Sequence, residues 1–576
     1  MAQTIPETKF KTAYHVSPQL LVVFLIFILS ALTYVGILNH QFLDFDDNQI
    51  IVPRSKTFNA LTFKNISNLI FDDYPREEPL IVRDLSYLVN GAIFGGDNPQ
   101  GYLLGNLLLH MVASYLIFSL SLTLFPNRYW QAILTSILFA IHPIHVESVA
   151  WISSRKDTLY SCFFLAGFLY YSNFVKINGA KRLAVSLGFF ILGLFSKASA
   201  ISFFPVVLLY RLLLAPQKKW TWHEVSYFSL LAVFSWVFMR WYSGVLTDFG
   251  LFQLQNAPSL IKESPAQWLL LNIETITFYL GKLLYPQDLA NLYIFPAPSR
   301  LFASLSVLFY SLATCAVLLF VLFKFIRMQD KRPLFLMLWF VLALGPYLNW
   351  AGISIYVADR YLYLASFAPM AAVSYLFATI GTMNNRYSKT IRNMAICLTA
   401  LLFAALIARG IKAVAVWSSS VTLWRNALQV SPTSLDAYLG LIRAETNIYL
   451  QQKGTAEGDK QLKHVKAVAN QGYQMFCKNN LCQPQATGLL YQIANLYYEE
   501  GRLDKAEQFL AQGLLLKPED VYLNYLHIYL ALKQGDISSA RQDIEVITRH
   551  AHPKINAPIL NDIRNNLSRS IPSIDN

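Results

Sequence analysis

The sequence has few charged residues for its length. Asp, Glu, Lys and Arg make up 14% of the 576 residues, against about 25% in an average soluble domain. Hydrophobic residues make up 55% and the mean hydropathy is +0.38, a composition that soluble proteins of this size rarely show. Apolar blocks of about 15–25 residues, separated by short polar loops, are typical of a polytopic membrane protein.

Several motifs are also missing. The chain has no Ser-His-Asp set, no Gly-rich phosphate loop and no haem motif. It has five cysteines, and no second Cys/His pair lies at a spacing that would hold zinc. The net charge of +13 is best explained by cytoplasmic loops of a membrane protein. No basic patch interleaved with aromatic residues indicates binding to nucleic acid.

The hydropathy pattern predicts an all-α membrane domain with about 11 spans. The predicted spans are 18–38, 101–125, 129–145, 157–175, 182–196, 199–214, 223–241, 301–325, 333–349, 360–380 and 391–410. With a cytoplasmic N-terminus, every basic loop then falls on the cytoplasmic side, as the positive-inside rule requires. The apolar stretch 268–286 would break this pattern, so we interpret it as a re-entrant or interfacial helix on the outer side.

An acidic tetrad, Asp44-Phe45-Asp46-Asp47, follows the first predicted span. Charged residues beside a membrane exit cost little, so a solvated loop is one interpretation. A catalytic carboxylate at the membrane surface is the other, because a carboxylate can position or deprotonate a hydroxyl nucleophile. On the predicted topology the tetrad lies on the outer face.

The segment from His142 to Asp157 joins two predicted spans and contains two histidines, two acids and two basic residues. Ionisable residues at membrane depth are costly, which favours a functional interpretation. One hypothesis is a metal site formed by His142, His145 and Glu147, since imidazole and carboxylate suit a transition metal. We favour the alternative, in which His142 packs the turn and Glu147 assists or orients catalysis.

Cationic residues on the same face are candidates for holding a phosphate. Arg155 and Lys156 would bind an anion or belong to an ion-paired rim. Lys197, between two short apolar runs, would either extend to the interface or face a lipid phosphate. Arg360 suits a bidentate phosphate contact, with a salt bridge to Asp359 as its alternative. Cations in these places would stabilise a phosphate leaving group as its charge develops.

Helical periodicity replaces the apolar blocks from about residue 418. Gly501 and Gly535 are 34 residues apart, the period of tetratricopeptide repeats. Stacked helix pairs of this kind form a groove that binds peptides or partner proteins. We therefore divide the chain into a membrane domain, 1–417, and an outer-side repeat domain, 418–576.

Two cysteines, Cys477 and Cys482, flank four residues of the predicted repeat domain. If this domain faces an oxidising compartment, a disulfide between them is expected. Cys162, Cys315 and Cys397 lie in apolar runs, where we expect membrane-buried thiols.

The motifs resemble those of the transmembrane and tetratricopeptide-repeat O-mannosyltransferases, a family of GT-C glycosyltransferases, and indicate a bacterial relative. The matching elements, besides the repeat tail, are Phe45-Asp46-Asp47, Arg83 with Leu85 and Ser86, Asn106 to His110, Phe139 to Trp151, Arg155-Lys156-Asp157, Ser196-Lys197 and Arg360-Tyr361-Leu362-Tyr363. They cover nearly the whole chain. The family usually has Pro where this chain has Asp84, and often an acid where it has Ala198.

The resemblance implies inverting transfer of a sugar, such as mannose, from a polyprenyl phosphate to a protein Ser/Thr hydroxyl. The essential acid of the first outer loop maps to Asp46, supported by Asp47 and Glu147. The candidates for holding the donor phosphate are Arg83, Arg155, Lys156, Lys197 and Arg360. The residues expected to support the site are His142, His145 and Asp157. No metal or other cofactor is required, although the clustered acids would accept a divalent cation.

The expected partners are the lipid-linked sugar, membrane lipids and an acceptor protein or peptide held by the repeat groove. The expected location is a bacterial inner membrane, or the endoplasmic reticulum in a eukaryote. The N-terminus would be cytoplasmic and the repeat domain periplasmic or lumenal.

Other functions fit parts of the pattern. A non-enzymatic membrane-anchored repeat scaffold for envelope assembly would not need Asp46. A lipid or solute transporter would need polar residues at the membrane midplane and repeats between its halves, and neither is evident. A glycosyltransferase that acts on a glycan or lipid acceptor is a variant of the enzyme hypothesis.

Overall fold

The computed structural model describes residues 18–71, 78–248, 265–294, 329–348, 355–381, 388–478, 481–552 and 556–567, with isolated positions between 312 and 327. The described chain is almost entirely helical, which confirms the predicted all-α fold class. Two strands of two residues, Cys477–Lys478 and Leu481–Cys482, pair antiparallel.

The helices before residue 220 include three short ones that follow the acidic tetrad. Their bounds are Pro18–Tyr34, Asp47–Ile50, Ser55–Phe58, Phe63–Phe71, Ile81–Phe94, Pro99–Leu124, Tyr129–Ile141, Val146–Ala150, Arg155–Ile177, Ala180–Leu194 and Phe203–Leu214. Short 3-10 turns connect several of them at Val35–Asn39, Val52–Arg54, Pro143–His145, Ile152–Ser154 and Ala198–Ser202.

The rest of the membrane part continues with longer helices. Their bounds are Trp222–Asp248, Pro265–Leu284, Arg332–Leu344, Leu362–Ala365, Phe367–Gly381 and Ser388–Val416, with 3-10 turns at Gly345–Tyr347 and Asp359–Tyr361. The predicted re-entrant stretch 268–286 falls in the helix Pro265–Leu284; its placement on the outer side stays a prediction.

Within the described residues, four helices are long and apolar enough to cross a bilayer: Gln19–Asn39, Pro99–Leu124, Trp222–Val245 and Lys389–Val416. The number rises to as many as 6 if each of two bent helix pairs is one span, namely Tyr129–Ile141 with Pro143–Ala150 and Asp359–Ala365 with Phe367–Ala378. The chain is therefore an integral membrane protein. The figure of about 11 spans stays a prediction, and most of the predicted span 301–325 lies outside the described residues.

Aromatic residues form the centre of the membrane part. Trp339 is buried, and its ring centroid lies 5.2–5.8 Å from those of Phe164, Phe168, Phe335 and Phe367. Edge-to-face aromatic pairs of this kind contribute about 0.5–1.5 kcal/mol each beyond the area they bury. They hold together three helices that carry or border the candidate site residues.

Helix pairs make up the C-terminal part. The helix bounds are Ser420–Val430, Leu435–Gln452, Ala456–Phe476, Thr487–Glu500, Leu503–Leu516, Val521–Gln534, Ile537–His550 and Ala557–Asp562, with a 3-10 turn at Pro484–Ala486 and a π-helical turn at Ile563–Leu567. The helices beginning at Thr487 and Leu503 recur 34 residues later, beginning at Val521 and Ile537. Gly501 and Gly535 end the first helix of each pair with φ of +86° and +80°, a conformation that favours glycine. Cys477 and Cys482 form a disulfide.

Candidate functional site

The acidic loop, Asp44–Asp47, is fastened to the membrane part through Asp47. The Asp47 side chain is fully buried. One carboxylate oxygen accepts hydrogen bonds from Ser153 N (3.1 Å) and Ser153 Oγ (2.5 Å), and the other accepts one from Leu43 N (3.1 Å). Asp46 is half-buried and directly precedes the helix Asp47–Ile50; its carbonyl accepts from Gln49 N at 2.9 Å. Asp47 therefore positions the loop, and Asp46 is the more accessible of the two acids.

The burial of Asp47 predicts a pH-dependent stability. Burial raises the pKa of Asp47 from 3.8 to about 6, although the hydrogen bonds from Ser153 and Leu43 act to lower it. The pKa is thus higher in the folded than in the unfolded chain, so the cost of burying the charge is complete above about pH 6 and is relieved as the pH falls from about 6 to about 4.

We expect thermal unfolding to show this effect as a difference between wild type and Asp47→Asn. Lowering the pH from about 7 to about 5 should stabilise the wild type relative to the variant, because the amide does not titrate. The measurement is the Tm of both purified proteins at both pH values. An equal change in Tm for the two proteins would contradict the raised pKa of Asp47.

The acidic loop also contacts the C-terminal helices. Asp44 donates its N–H to Ser420 Oγ (2.8 Å), its carbonyl accepts from Trp424 Nε1 (3.2 Å), and its carboxylate pairs with Arg443. The ring of Phe45 lies between those of Trp151 (4.7 Å between centroids) and Trp424 (5.5 Å). The loop is therefore held between the membrane part and the C-terminal helices.

Glu147 and Arg360 form a buried ion pair. The side chains are 1% and 7% exposed. Glu147 pairs with the Arg360 guanidinium and also accepts the backbone N–H of Arg360 at 2.8 Å. The alternative partner considered for Arg360 was Asp359, whose carboxylate instead accepts from Tyr293 OH at 2.8 Å. Glu147 thus joins two segments that are more than 200 residues apart.

Asp157 and Lys197 form a second buried ion pair, 2.5 Å between Oδ1 and Nζ. The Lys197 ammonium also lies 5.1–5.8 Å from the ring centroids of Tyr160, Tyr347 and Tyr361. An ammonium above aromatic faces gains cation–π attraction in addition to its ion pair. Because these contacts hold the Lys197 ammonium inside the protein, the side chain does not extend to the membrane interface, which is one of its two interpretations. Contact with a phosphate, the other interpretation, stays a prediction.

Arg155 is held by oxygens of the protein itself. Its guanidinium donates to Asn106 Oδ1 (2.7 Å), Ser86 O (3.1 Å) and Tyr102 O (2.5 Å), and it lies 4.7 Å from the Tyr87 ring centroid. The side chain is buried. These contacts tie three helices together and use all three guanidinium nitrogens of Arg155.

Lys156 and Arg83 converge on one carboxylate, that of Glu78. Glu78 Oε2 lies 2.6 Å from Lys156 Nζ and 3.3 Å from Arg83 Nη1. Burial acts to raise the pKa of Glu78, but the positive charges of Lys156 and Arg83 outweigh it and lower the pKa to about 2. Arg83 Nε also pairs with Asp84 (2.9 Å), which in turn pairs with Arg54 (3.0 Å).

The two histidines bind backbone and hydroxyl oxygens. His145 is 2.7 Å from Phe139 O through Nδ1 and 2.9 Å from Ser366 Oγ through Nε2. His142 lies 3.0 Å from Leu283 O and accepts the N–H of Ile144. In the described part of the chain, no three His, Cys, Asp or Glu side chains are grouped so as to hold a metal ion. A metal site formed by His142, His145 and Glu147 finds no support in these residues, and His142 caps the turn by accepting the N–H of Ile144.

Comparison with known proteins finds partial similarity to protein O-mannosyl-transferases. The chain is 30% identical over 182 residues to Protein O-mannosyl-transferase Tmtc1 of Drosophila melanogaster, covering 30% of this chain and 21% of that protein. It is 42% identical over 95 residues to Protein O-mannosyl-transferase TMTC2 of Homo sapiens, covering 16% and 11%. It is 36% identical over 135 residues to human Protein O-mannosyl-transferase TMTC1, covering 22% and 15%. These matches confirm the resemblance inferred from the motifs.

The chain spans only between 11% and 21% of the length of these curated relatives. No family model matches it. Among solved structures, the apo oligosaccharyltransferase of Archaeoglobus fulgidus aligns with a TM-score of 0.39 and 12% identity, covering 79% of this chain and 60% of that chain.

Three site residues escaped the sequence analysis. Glu78 is not among the candidate residues of the sequence, yet its carboxylate joins Arg83 and Lys156. Asp84 was noted only as a departure from the family pattern, and it is a buried partner of two arginines. Nothing in the sequence around Ser153 indicates that it binds Asp47. An acid directly after a candidate cation was a usable signal for Asp84, and an acid five residues before Arg83 was a weaker one for Glu78; its contact with Lys156, 78 residues away, had no local signal.

Proposed function

We propose that this chain is a membrane glycosyltransferase that moves a sugar from a polyprenyl phosphate to a Ser or Thr hydroxyl of a protein, with inversion. The observation that carries the proposal is the fixed acidic loop. Asp47 is hydrogen-bonded to Ser153, which lies three residues before Lys156, so the acidic loop that carries Asp46 is fixed to the segment that carries two of the candidate cations. The similarity to proteins named O-mannosyl-transferases favours mannose as the sugar.

In the proposed reaction Asp46 acts as the base. Its carboxylate takes the proton of the acceptor hydroxyl while the hydroxyl oxygen forms a bond to the anomeric carbon. The bond between that carbon and the phosphate oxygen breaks, and the phosphate leaves with the electron pair. Because the nucleophile attacks from the face opposite the phosphate, the configuration inverts. Asp47 is a positioning residue in this scheme, since its oxygens are taken by Ser153 and Leu43.

The leaving phosphate requires cations, which stabilise its developing negative charge. Lys156 and Arg83 are the best placed, because their carboxylate partner Glu78 is 27% exposed. Lys197 and Arg360 are each neutralised by a buried carboxylate partner, so we give them a smaller part in holding the phosphate. Glu147, His142, His145 and Asp157 support the site through their contacts. We assign no cofactor to the reaction.

The proposed topology places the acidic loop and the C-terminal helices on the same, non-cytoplasmic side. The acidic loop contacts those helices directly through Asp44 and Phe45, so both must lie on one side of the membrane. The disulfide between Cys477 and Cys482 favours an oxidising compartment, such as a periplasm or a secretory lumen.

The direct test is transfer of radiolabelled mannose from polyprenyl-phosphate mannose into protein in membranes that contain the full-length chain. We expect label in Ser/Thr-linked form, with membranes lacking the chain as the control. Other lipid-linked sugars tested in parallel would identify a different donor. Absence of label with every donor would refute the proposed function.

The contact between Arg443 and Asp44 predicts that the C-terminal helices position the acidic loop for transfer. Arg443→Ala should lower transfer about tenfold, because small displacements of a reacting group have large effects on rate. Its Tm should change little, since a half-exposed ion pair contributes at most about 1 kcal/mol.

Arg425→Ala is the matched control for Arg443→Ala. The side chains of Arg425 and Arg443 are 49% and 45% exposed, and Arg425 pairs with Glu445 instead of the acidic loop. Glu445 is only 1% exposed, although it also lies 3.1 Å from His464, so transfer by this variant is compared after its Tm has been measured. We expect its transfer rate to stay near that of the wild type. Equal losses in the two variants would show that the Asp44 contact has no specific effect.

A further inference from the structure

Glu78 lies in a cationic socket, a group of three hydrogen-bond donors that it serves with only two carboxylate oxygens. The socket consists of Lys156, Arg83 and Tyr242, whose donors surround the Glu78 carboxylate. Among the described residues, Oε2 contacts both cations, at 2.6 Å from Lys156 Nζ and 3.3 Å from Arg83 Nη1, and Oε1 accepts one 3.3 Å contact, from Tyr242 OH. Three donor groups therefore share the two oxygens of a side chain that is itself 27% exposed.

The socket stays in place without Glu78. Arg83 is only 2% exposed and is held independently by Asp84, which also binds Arg54. Tyr242 is fixed by stacking of its ring on that of Phe238, 5.6 Å between centroids. Two of the three donors are thus anchored by contacts that do not involve Glu78. Displacement of the Glu78 carboxylate would leave an anion site already formed.

The donor set suits a phosphate better than a carboxylate. A phosphate monoester, such as a polyprenyl phosphate without its sugar, offers three oxygens that accept strong hydrogen bonds, one for each of the three donor groups. A lysine and an arginine on one side of a bound phosphate are a common arrangement for this anion. Glu78 uses one oxygen for both cations, so exchange for a phosphate would increase the number of charge-assisted contacts.

The surroundings favour a phosphate that belongs to a lipid. Tyr242 lies near the end of the apolar helix Trp222–Val245, which is long enough to cross a bilayer. Large apolar side chains on this helix are exposed, among them Val233 (55%), Trp236 (68%) and Val237 (49%). A lipid chain running along this helix would place its phosphate at the level of Tyr242.

We propose that Arg83, Lys156 and Tyr242 form a lipid-phosphate subsite and that Glu78 occupies it as an internal anion until the lipid phosphate displaces it. Naming the lipid as a polyprenyl phosphate rests on the proposed function, whereas the subsite itself does not. Glu78 then competes with the ligand, so its charge weakens binding and limits occupation of the site by weaker anions.

The test is binding of a fluorescent polyprenyl phosphate to the purified full-length protein in detergent. Glu78→Gln should tighten Kd about tenfold, because the competing charge is removed while the side-chain volume is kept. Lys156→Met should weaken Kd about tenfold, because a charge-assisted contact is lost. Tyr242→Phe should weaken it severalfold and is the second variant if Lys156→Met does not fold.

Glu500→Gln is the matched control. Glu500 pairs with Lys466 at 2.6 Å, the same distance as in the pair of Glu78 with Lys156, and has a similar exposure of 18%. It lies in the C-terminal helices, so we expect its Kd for polyprenyl phosphate to equal that of the wild type. A gain in affinity in this control would show a general charge effect and overturn the proposal.

The remaining outcomes are decisive. Unchanged or weaker binding by Glu78→Gln would overturn the competition by Glu78. An equal gain for inorganic phosphate, or for vesicles of phosphatidylglycerol, would overturn the assignment to a polyprenyl phosphate. Because the assay contains no transfer step, a tighter Glu78→Gln with no sugar transfer by the wild type would uphold the subsite and refute the proposed function.

Discussion

Replacing Asp46 by asparagine is expected to lower sugar transfer about 10²–10⁴-fold, the range for loss of a general base. The amide keeps the size of the side chain but does not accept a proton at neutral pH. Asp46 is half-buried, and its backbone carbonyl, which begins the following helix, is unaffected by the change. We therefore expect the Tm to stay near that of the wild type.

Asp97→Asn is the control for this prediction. Asp97 is an exposed aspartate in another short loop, two residues before the start of the helix Pro99–Leu124. The variant removes the same negative charge. Initial rates should be compared at equal expression and at saturating donor. Wild-type transfer by Asp46→Asn would show that the base is a different group, and Asp47 and Glu147 would be the next candidates.

Replacing Arg360 by methionine is expected to destabilise the protein by about 3–5 kcal/mol, the usual effect of removing one partner of a buried ion pair. The variant leaves Glu147, whose side chain is 1% exposed, as an uncompensated buried charge. The measurement is thermal unfolding of the purified protein, in which a large fall in Tm is expected.

A double variant tests the cause of this loss. Glu147→Gln combined with Arg360→Met should recover most of the lost stability, because the charge is removed while the Gln carbonyl still accepts the backbone N–H at position 360. Arg332→Met is the control, since Arg332 and Asp330 form an exposed pair that contributes about 1 kcal/mol or less. Normal stability of Arg360→Met, with loss of donor binding alone, would show that Arg360 is a phosphate ligand and not a structural residue.

Local patterns predicted the helices and the repeat spacing well. Hydropathy placed the first span at 18–38, and the structure has an apolar helix over Gln19–Asn39. The 34-residue spacing of Gly501 and Gly535 recurs as two helix ends with the same left-handed backbone. Both features depend on residues close together in the sequence, which is why the sequence reveals them.

The different roles within the acidic tetrad could not be predicted in this way. Asp44 pairs with Arg443, nearly 400 residues away, whereas Asp47 is buried against Ser153. The sequence shows three equivalent acids at one place, and only the partners distinguish them. The same holds for Glu147, whose partner Arg360 is set by the packing of distant helices.

The joint between the helices Ser388–Val416 and Ser420–Val430 determines how far the C-terminal helices can reach. Three residues separate the two helices; the carbonyl of Ser418 accepts the N–H of Gln41, and the Trp417 ring stacks on that of Trp151. A long, flexible linker would let the C-terminal helices take many positions relative to the membrane part. This short, fixed linker instead keeps the distance between them constant, so an acceptor segment bound by these helices would be modified at a set distance along its chain.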